Sequence, residues 1–133
     1  KIKDHGLNKS VVTDFRFIPN DELPIFHQAA DIIVYPYRAI TQSGALFTGM
    51  SFGKAIVATS SGGFKETLQH GVTGLLIEYG EIQEWADNII NLINNPSERL
   101  RLGNAALKEL NERYSWNVIA DRTLECYYAV LNR

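Results

Sequence analysis

The chain has 133 residues, 45% of them hydrophobic and 21% charged, with a formal net charge of −2. That is enough for one globular domain with its own core, and it excludes the strongly basic surface that nucleic-acid binding requires. No run approaches the roughly 18 apolar residues of a membrane span, and the single Cys126 excludes a disulfide framework or a cysteine-based metal site.

In chain order, Val11–Ile18 is rich in β-formers and ends at Pro19-Asn20, which predicts a strand over Val12–Ile18 followed by a turn. A helix is expected from near Asp21, with acidic residues at its positive end, Pro24 in its first turn and a stripe of Leu23, Phe26 and Ala30. Ile32–Tyr35 is a continuous apolar run ending at Pro36, the pattern of a strand covered on both faces. Ser43 to Phe52 reads as a helix closed by Gly53 in a left-handed cap, Ala55–Thr59 as another buried strand, and Phe64 to His70 as a short helix stopped by Gly71. Gly74–Tyr79, centred on Leu75–Ile77, is the fourth strand.

Beyond Gly80 the hydrophobic period is helical throughout. Ile82, Trp85, Ile89, Leu92 and Ile93 share one face. Asn95 caps the next helix, with Pro96 at its first position, Glu98 set for a capping-box-like contact, and a stripe of Leu100, Leu107, Leu110 and Tyr114. Ser115 is expected to cap a last helix that buries Trp116, Ile119, Thr123, Tyr127 and Val130, with Cys126 as a buried structural thiol. Four strands, each followed by a helix, make one α/β unit over residues 1–133. The expected fold is a Rossmann-like parallel sheet of about four strands, with helices on both faces and a helical C-terminal tail. The chain opens on Lys1, as if within a domain, and is expected to be part of a longer cytoplasmic protein, membrane-peripheral at most.

Two segments carry chemistry. Thr41-Gln42-Ser43-Gly44 lies between a strand end and a helix start. Gly44 removes a Cβ where a ligand would approach, the free N–H groups of the first turn face outward, and the helix dipole adds roughly half a positive charge. Phosphate or diphosphate is the natural ligand of such a turn, while Ser43 as a plain N-cap is the simpler alternative. Arg38 is within reach of a phosphate oxygen or is a solvated loop residue. Ser60-Ser61-Gly62-Gly63 leaves the next strand and enters a helix through Lys65-Glu66. The paired glycines imply unusual backbone angles, close approach of a ligand or helix, or a structural turn, and Glu66 is placed to complement the helix dipole. His5, His27 and His70 have no metal-ligand spacing to any His, Cys or carboxylate, so no metal is assigned.

Three blocks of this chain resemble the donor domain of GT-B glycosyltransferases of the family 4, group 1 type. They are Asp14–Leu23 with Ala29-Ala30-Asp31; Pro36–Thr59, ending in Phe52-Gly53-Lys54-Ala55-Ile56-Val57-Ala58-Thr59; and Gly62-Gly63-Phe64-Lys65-Glu66 with Gly71-Val72-Thr73-Gly74-Leu75-Leu76. Tyr114-Ser115-Trp116 is similar to the family's final helix start. The resemblance implies a parent enzyme that moves a sugar from a nucleotide diphosphate sugar to a glycan, lipid or small acceptor with retention. It implies no obligatory metal and no cofactor beyond the donor itself. The acceptor would be held by a domain outside this chain, and the chain alone would be inactive.

The resemblance further implies Gln42, Ser43, Gly44 and Ala45 at the phosphates and sugar, and Thr48 near the ribose. Phe17 and Ile18, at a strand end, would border the base, with Arg38 toward the phosphate and Gly62, Gly63 and Glu66 forming the neighbouring wall. One departure stands out. The family commonly carries two Glu residues whose positions, counted back from Gly53, are Ile40 and Thr48 here; neither offers the carboxylate that accepts two hydrogen bonds from a sugar diol. A subset of the family has a Gln-Ser-Gly segment instead, similar to Gln42-Ser43-Gly44. A non-catalytic nucleotide-sugar-binding module and a GT-B sugar-nucleotide epimerase are the alternatives. Self-association of the isolated chain is expected through strand edges and apolar faces left without cover.

Overall fold

Strands form where both faces of the backbone find apolar cover. The structure is a computed structural model that describes residues 2–132; Lys1 and Arg133, the two ends of the expected unit, lie outside the described residues. In it the chain makes β1 (Ile32–Tyr35), β2 (Ala55–Thr59) and β3 (Leu75–Ile77), all parallel in the order β1-β2-β3. The register sets Ile33 beside Ile56 and Val57 beside Leu75. Before the sheet come a single 3-10 turn at Leu7–Lys9 and α1 (Leu23–Ala29). α2 (Gly44–Ser51) joins β1 to β2 and α3 (Gly62–Thr67) joins β2 to β3; α4 (Ile82–Asn94), α5 (Pro96–Arg113) and α6 (Trp116–Leu131) follow.

The central strand is buried at every residue. Alternation sends Ile56 and Ala58 to one face, where they pack with Tyr35, with Leu46 and Met50 of α2, and with Phe64 of α3. Ala55 and Val57 face the other way, onto Leu75, Ile77, Leu92 of α4 and Leu102 of α5. Full burial of side chains such as Ile56, Val57 and Phe64 contributes roughly 1.5–3 kcal/mol each. α5 lies close beneath the turn into β2, because Gly103 meets the carbonyl of Gly53 and Gly53 itself turns the chain at φ +61°.

Several expectations give way to this arrangement. Val12–Ile18 is not a strand, so the sheet has three strands rather than four. A β-ladder needs a partner, and this segment lies unpaired, with Val12, Phe15 and Phe17 almost wholly exposed. Polar contacts tether it instead: Arg16 pairs with Asp14 at 3.1 Å and with Glu22, whose carboxyl it holds below the usual carboxylate range. Asp21 and Glu22 precede α1 rather than sit in its first turn, and Phe26 is exposed.

The helical end is corrected in the same way. α3 starts at Gly62 and ends four residues before Gly71. In α4, Leu92 is buried while Ile82 and Ile93 are exposed. In α5 the buried positions are Leu102, Gly103 and Ala106, not Leu100. Asn95 does cap α5, but Glu98 turns to Arg101 at 2.6 Å and not back to the cap. α6 buries none of its residues: Trp116 is 84% exposed, Ile119, Thr123, Tyr127 and Val130 are exposed, the Ser115 side chain makes no cap bond, and Cys126 is exposed.

Two outcomes follow from these contacts. Gly103→Ala would set a Cβ 2.0 Å from the Gly53 carbonyl oxygen. Its cost, about 1–3 kcal/mol, should outweigh the gain in helix propensity and appear as a lowered midpoint in denaturant titration. The 133-residue chain by itself should associate reversibly through the exposed Trp116, Tyr127 and Val130 face, and sedimentation velocity across a concentration series should show this as a rising mean mass.

Candidate functional site

The site begins where β1 ends. Thr59 of β2 donates its hydroxyl to the Tyr35 carbonyl at 3.2 Å, and the Tyr35 hydroxyl donates to the Ala45 carbonyl at 2.6 Å. The first turn of α2 is thereby tied to the sheet. The intervening loop, Pro36 to Ser43, is held from within by Tyr37, whose ring meets those of Tyr35 and Phe64 at 6.0 and 5.5 Å.

From the other side the loop rests on the paired glycines. A Cβ on Gly62 would lie 1.6 Å from the Ile40 carbonyl oxygen, and one on Gly63 2.3 Å from that of Thr41. Gly62 also takes φ +45°. The close approach signalled by Gly62-Gly63 is therefore made by the protein's own backbone, the loop after β1 against the start of α3.

Ser43 is buried and accepts a hydrogen bond on Oγ from the Leu46 N–H at 3.2 Å, so it is an N-cap. Gly44 and Ala45 remain exposed, and the space where a Gly44 Cβ would stand is open. The first two N–H groups of the helix thus face solvent at its positive end, alongside the capping serine. Thr48 sits one turn further on and donates its hydroxyl to the Gly44 carbonyl at 3.1 Å.

Beside this turn is a cleft of about 280 Å³ lined by Gln42, Ser43, Phe47, Gly63, Glu66, Thr67 and Tyr114. Four of the residues singled out in the sequence meet here, Gln42 and Ser43 from the loop before α2 and Gly63 and Glu66 from α3. Gly44 and Ala45 form the adjoining turn, and Gly62 lies under the loop. Arg38 does not line the cleft; its guanidinium stands over the Tyr79 ring, 5.8 Å from the centroid. Phe17 and Ile18 do not line it either, because their segment forms no strand that would carry them there.

Sequence reasoning missed Phe47, Thr67 and Tyr114. Tyr114 reads as the end of a core stripe, yet it caps α5 and meets the Phe47 ring at a tilt, 5.1 Å between centroids, to make one wall of the cleft. Its position beside the Ser115-Trp116 helix start was the available signal. Ser61 Oγ is buried without a hydrogen-bond partner at the start of α3. Among the described residues no three His, Cys, Asp or Glu side chains are grouped to hold a metal ion, and no helix is long and apolar enough to cross a membrane.

Residues 1–95 match the family model of the glycosyl transferases group 1. The chain belongs to this family. D-inositol 3-phosphate glycosyltransferase of Pseudarthrobacter chlorophenolicus is 32% identical over 92% of this chain, which spans only 29% of that enzyme. The Anabaena protein Alr3699/HepE, solved in complex with UDP, superposes with a TM-score of 0.86 at 26% identity, over 96% of this chain and 35% of that one. The C-terminal domain of the group 1 protein LpcC from Francisella tularensis superposes at 0.78 and 23% identity, over 86% of this chain and 59% of its own, a likeness of fold. This group 1 chain spans about a third of the length of the first two of these relatives.

The tether from Tyr35 to α2 has a pH signature. Burial pushes the Tyr35 phenol up to about 12. Between about pH 10, where an unfolded tyrosine ionises, and the folded value, the native state keeps a proton that the unfolded state has lost. Stability therefore falls as pH rises through that window. Tyr35→Phe should cost about 1 kcal/mol at neutral pH and flatten the alkaline decline; urea titrations in neutral and strongly alkaline buffer measure both.

Proposed function

We propose that the protein carrying this chain transfers a sugar from a nucleotide diphosphate sugar to an acceptor with retention, and that this chain supplies the donor-binding wall. The observation that carries the reading is the exposed first turn of α2. Ser43 caps it, Gly44 leaves it open, and it is fixed to the sheet beside a cleft containing Gln42 and Glu66. A diphosphate there would accept hydrogen bonds from the Gly44 and Ala45 N–H groups and gain from the helix dipole. As a leaving group it would be stabilised by donors already in place, with no obligatory metal.

Gln42 and Ser43 contact the phosphates and sugar in this reading, and Thr48 lies toward the ribose. Arg38 serves the phosphates only by leaving Tyr79. The acceptor, a glycan, lipid or small molecule, binds elsewhere in the whole protein, which works in the cytoplasm or at the surface of a membrane. The relatives support the reading: one is a D-inositol 3-phosphate glycosyltransferase and another was solved with UDP and with UDP-glucose.

Gly44→Val tests the site directly. A Cβ at position 44 meets no protein atom within 4 Å, so the fold should persist while the valine obstructs the diphosphate. Calorimetric titration of the whole protein with UDP and GDP should show the better-bound nucleotide weakened by at least about tenfold, or ~1.4 kcal/mol. Unchanged affinity in a folded variant would move the phosphate site away from this turn.

A further inference from the structure

Two elements set the electrostatics around the cleft. The turn that adjoins it at the start of α2 presents the exposed N–H groups of Gly44 and Ala45, which favour negative charge. At the α3 end stands Glu66, exposed, and without a hydrogen bond or ion pair among the described residues. It is the cleft's one carboxylate, and neither Lys nor Arg lines the cleft with it.

The nearest cations by sequence are engaged elsewhere. Lys65 faces Glu78 at 3.8 Å, and Arg113 holds Glu109 at 2.7 Å. Nor does either family-position residue supply a second acceptor of this kind, since the Ile40 side chain packs on the core and the Thr48 hydroxyl is given to Gly44. The remaining lining is neutral: Gln42, Ser43 and Thr67 offer amide and hydroxyl groups, and the Phe47–Tyr114 pair offers an apolar wall.

A carboxylate with both oxygens free accepts hydrogen bonds from two neighbouring hydroxyls, and these charge-assisted bonds are the strong ones. The same charge, with no cation to offset it, opposes a second carboxylate in the cleft. An aromatic wall meanwhile suits the C–H face of a pyranose. We infer that Glu66 reads hydroxyls of the donor sugar and restricts the site to neutral hexoses, rejecting uronic acids. This rests on the donor-site reading: the diphosphate lies at the positive turn, and the sugar extends from it toward Glu66.

The test compares matched donors on the whole protein. Calorimetry with UDP, UDP-glucose and UDP-glucuronate, and with GDP, GDP-mannose and GDP-mannuronate, separates the nucleotide's affinity from the increment added by each sugar. The unaltered protein should bind the neutral sugar nucleotide at least about tenfold tighter than its uronate. Glu66→Gln should bring that ratio close to one, weakening the hexose and strengthening the uronate, and Glu66→Ala should weaken the hexose further. Thermal melting of both variants checks that the exposed substitution leaves the fold intact.

An unaltered protein with no preference for the neutral sugar, or a folded Glu66→Gln variant with an unchanged ratio, overturns the inference while nucleotide binding keeps the donor-site reading. Failure of both UDP and GDP to bind overturns that reading and this inference with it.

Discussion

Everything in this fold is referred to the burial of one strand. β2 is covered on both faces, so it requires a helix layer on each side and a parallel neighbour along each edge. Those demands place α2 and α3 together on the Ile56–Ala58 face and α4 on the Ala55–Val57 face, while α5 reaches both, through Ala106 on the first and Leu102 on the second. Once the strands run parallel, the loops after β1 and β2 emerge at the same end of the sheet. That is where an open α/β sheet binds its ligands, and here it is where Gln42, Ser43 and Glu66 converge.

A second constraint, subordinate to the first, gives the site its shape. The loop after β1 cannot lie on the start of α3 unless Cβ atoms are missing from Gly62 and Gly63, because the backbone oxygens of Ile40 and Thr41 occupy that space. Tyr35 then ties the other side of the loop to Ala45 through a buried hydroxyl. The turn is clamped between sheet and helix, which keeps the orientation of its free N–H groups from depending on a flexible connection. Such pre-organisation lowers the cost of ordering donors around a charged ligand.

The apolar surface is distributed unevenly for a domain of this size. The segment before the sheet and the whole of α6 leave large side chains in solvent, including Phe15, Phe17 and Trp116. The chain matches its relatives along most of its own length and about a third of theirs. The exposed surface of α6 and the cleft beside α2 are thus separate properties: one concerns what covers the helix, the other the approach to the first turn of α2.

Local signals were sufficient for much of this protein. Continuous apolar runs at Ile32–Tyr35 and Ala55–Thr59 announced doubly covered strands, Gly53 announced a left-handed turn, and Ser43-Gly44 announced a capped, open helix start, since each depends on a few adjacent residues. Gly62-Gly63 announced a close approach but not by what. Only the tertiary structure decided that the approaching group is the Ile40–Thr41 backbone, that Tyr114 arrives from a distant helix to wall the cleft, and that Arg38 turns to Tyr79. It also decided against the strand at Val12–Ile18 and the buried face of α6. β-propensity and helical periodicity describe what a segment can cover, whereas strand pairing and burial depend on which other segment reaches it. That is a property of the packed chain, because the partner lies far away in sequence.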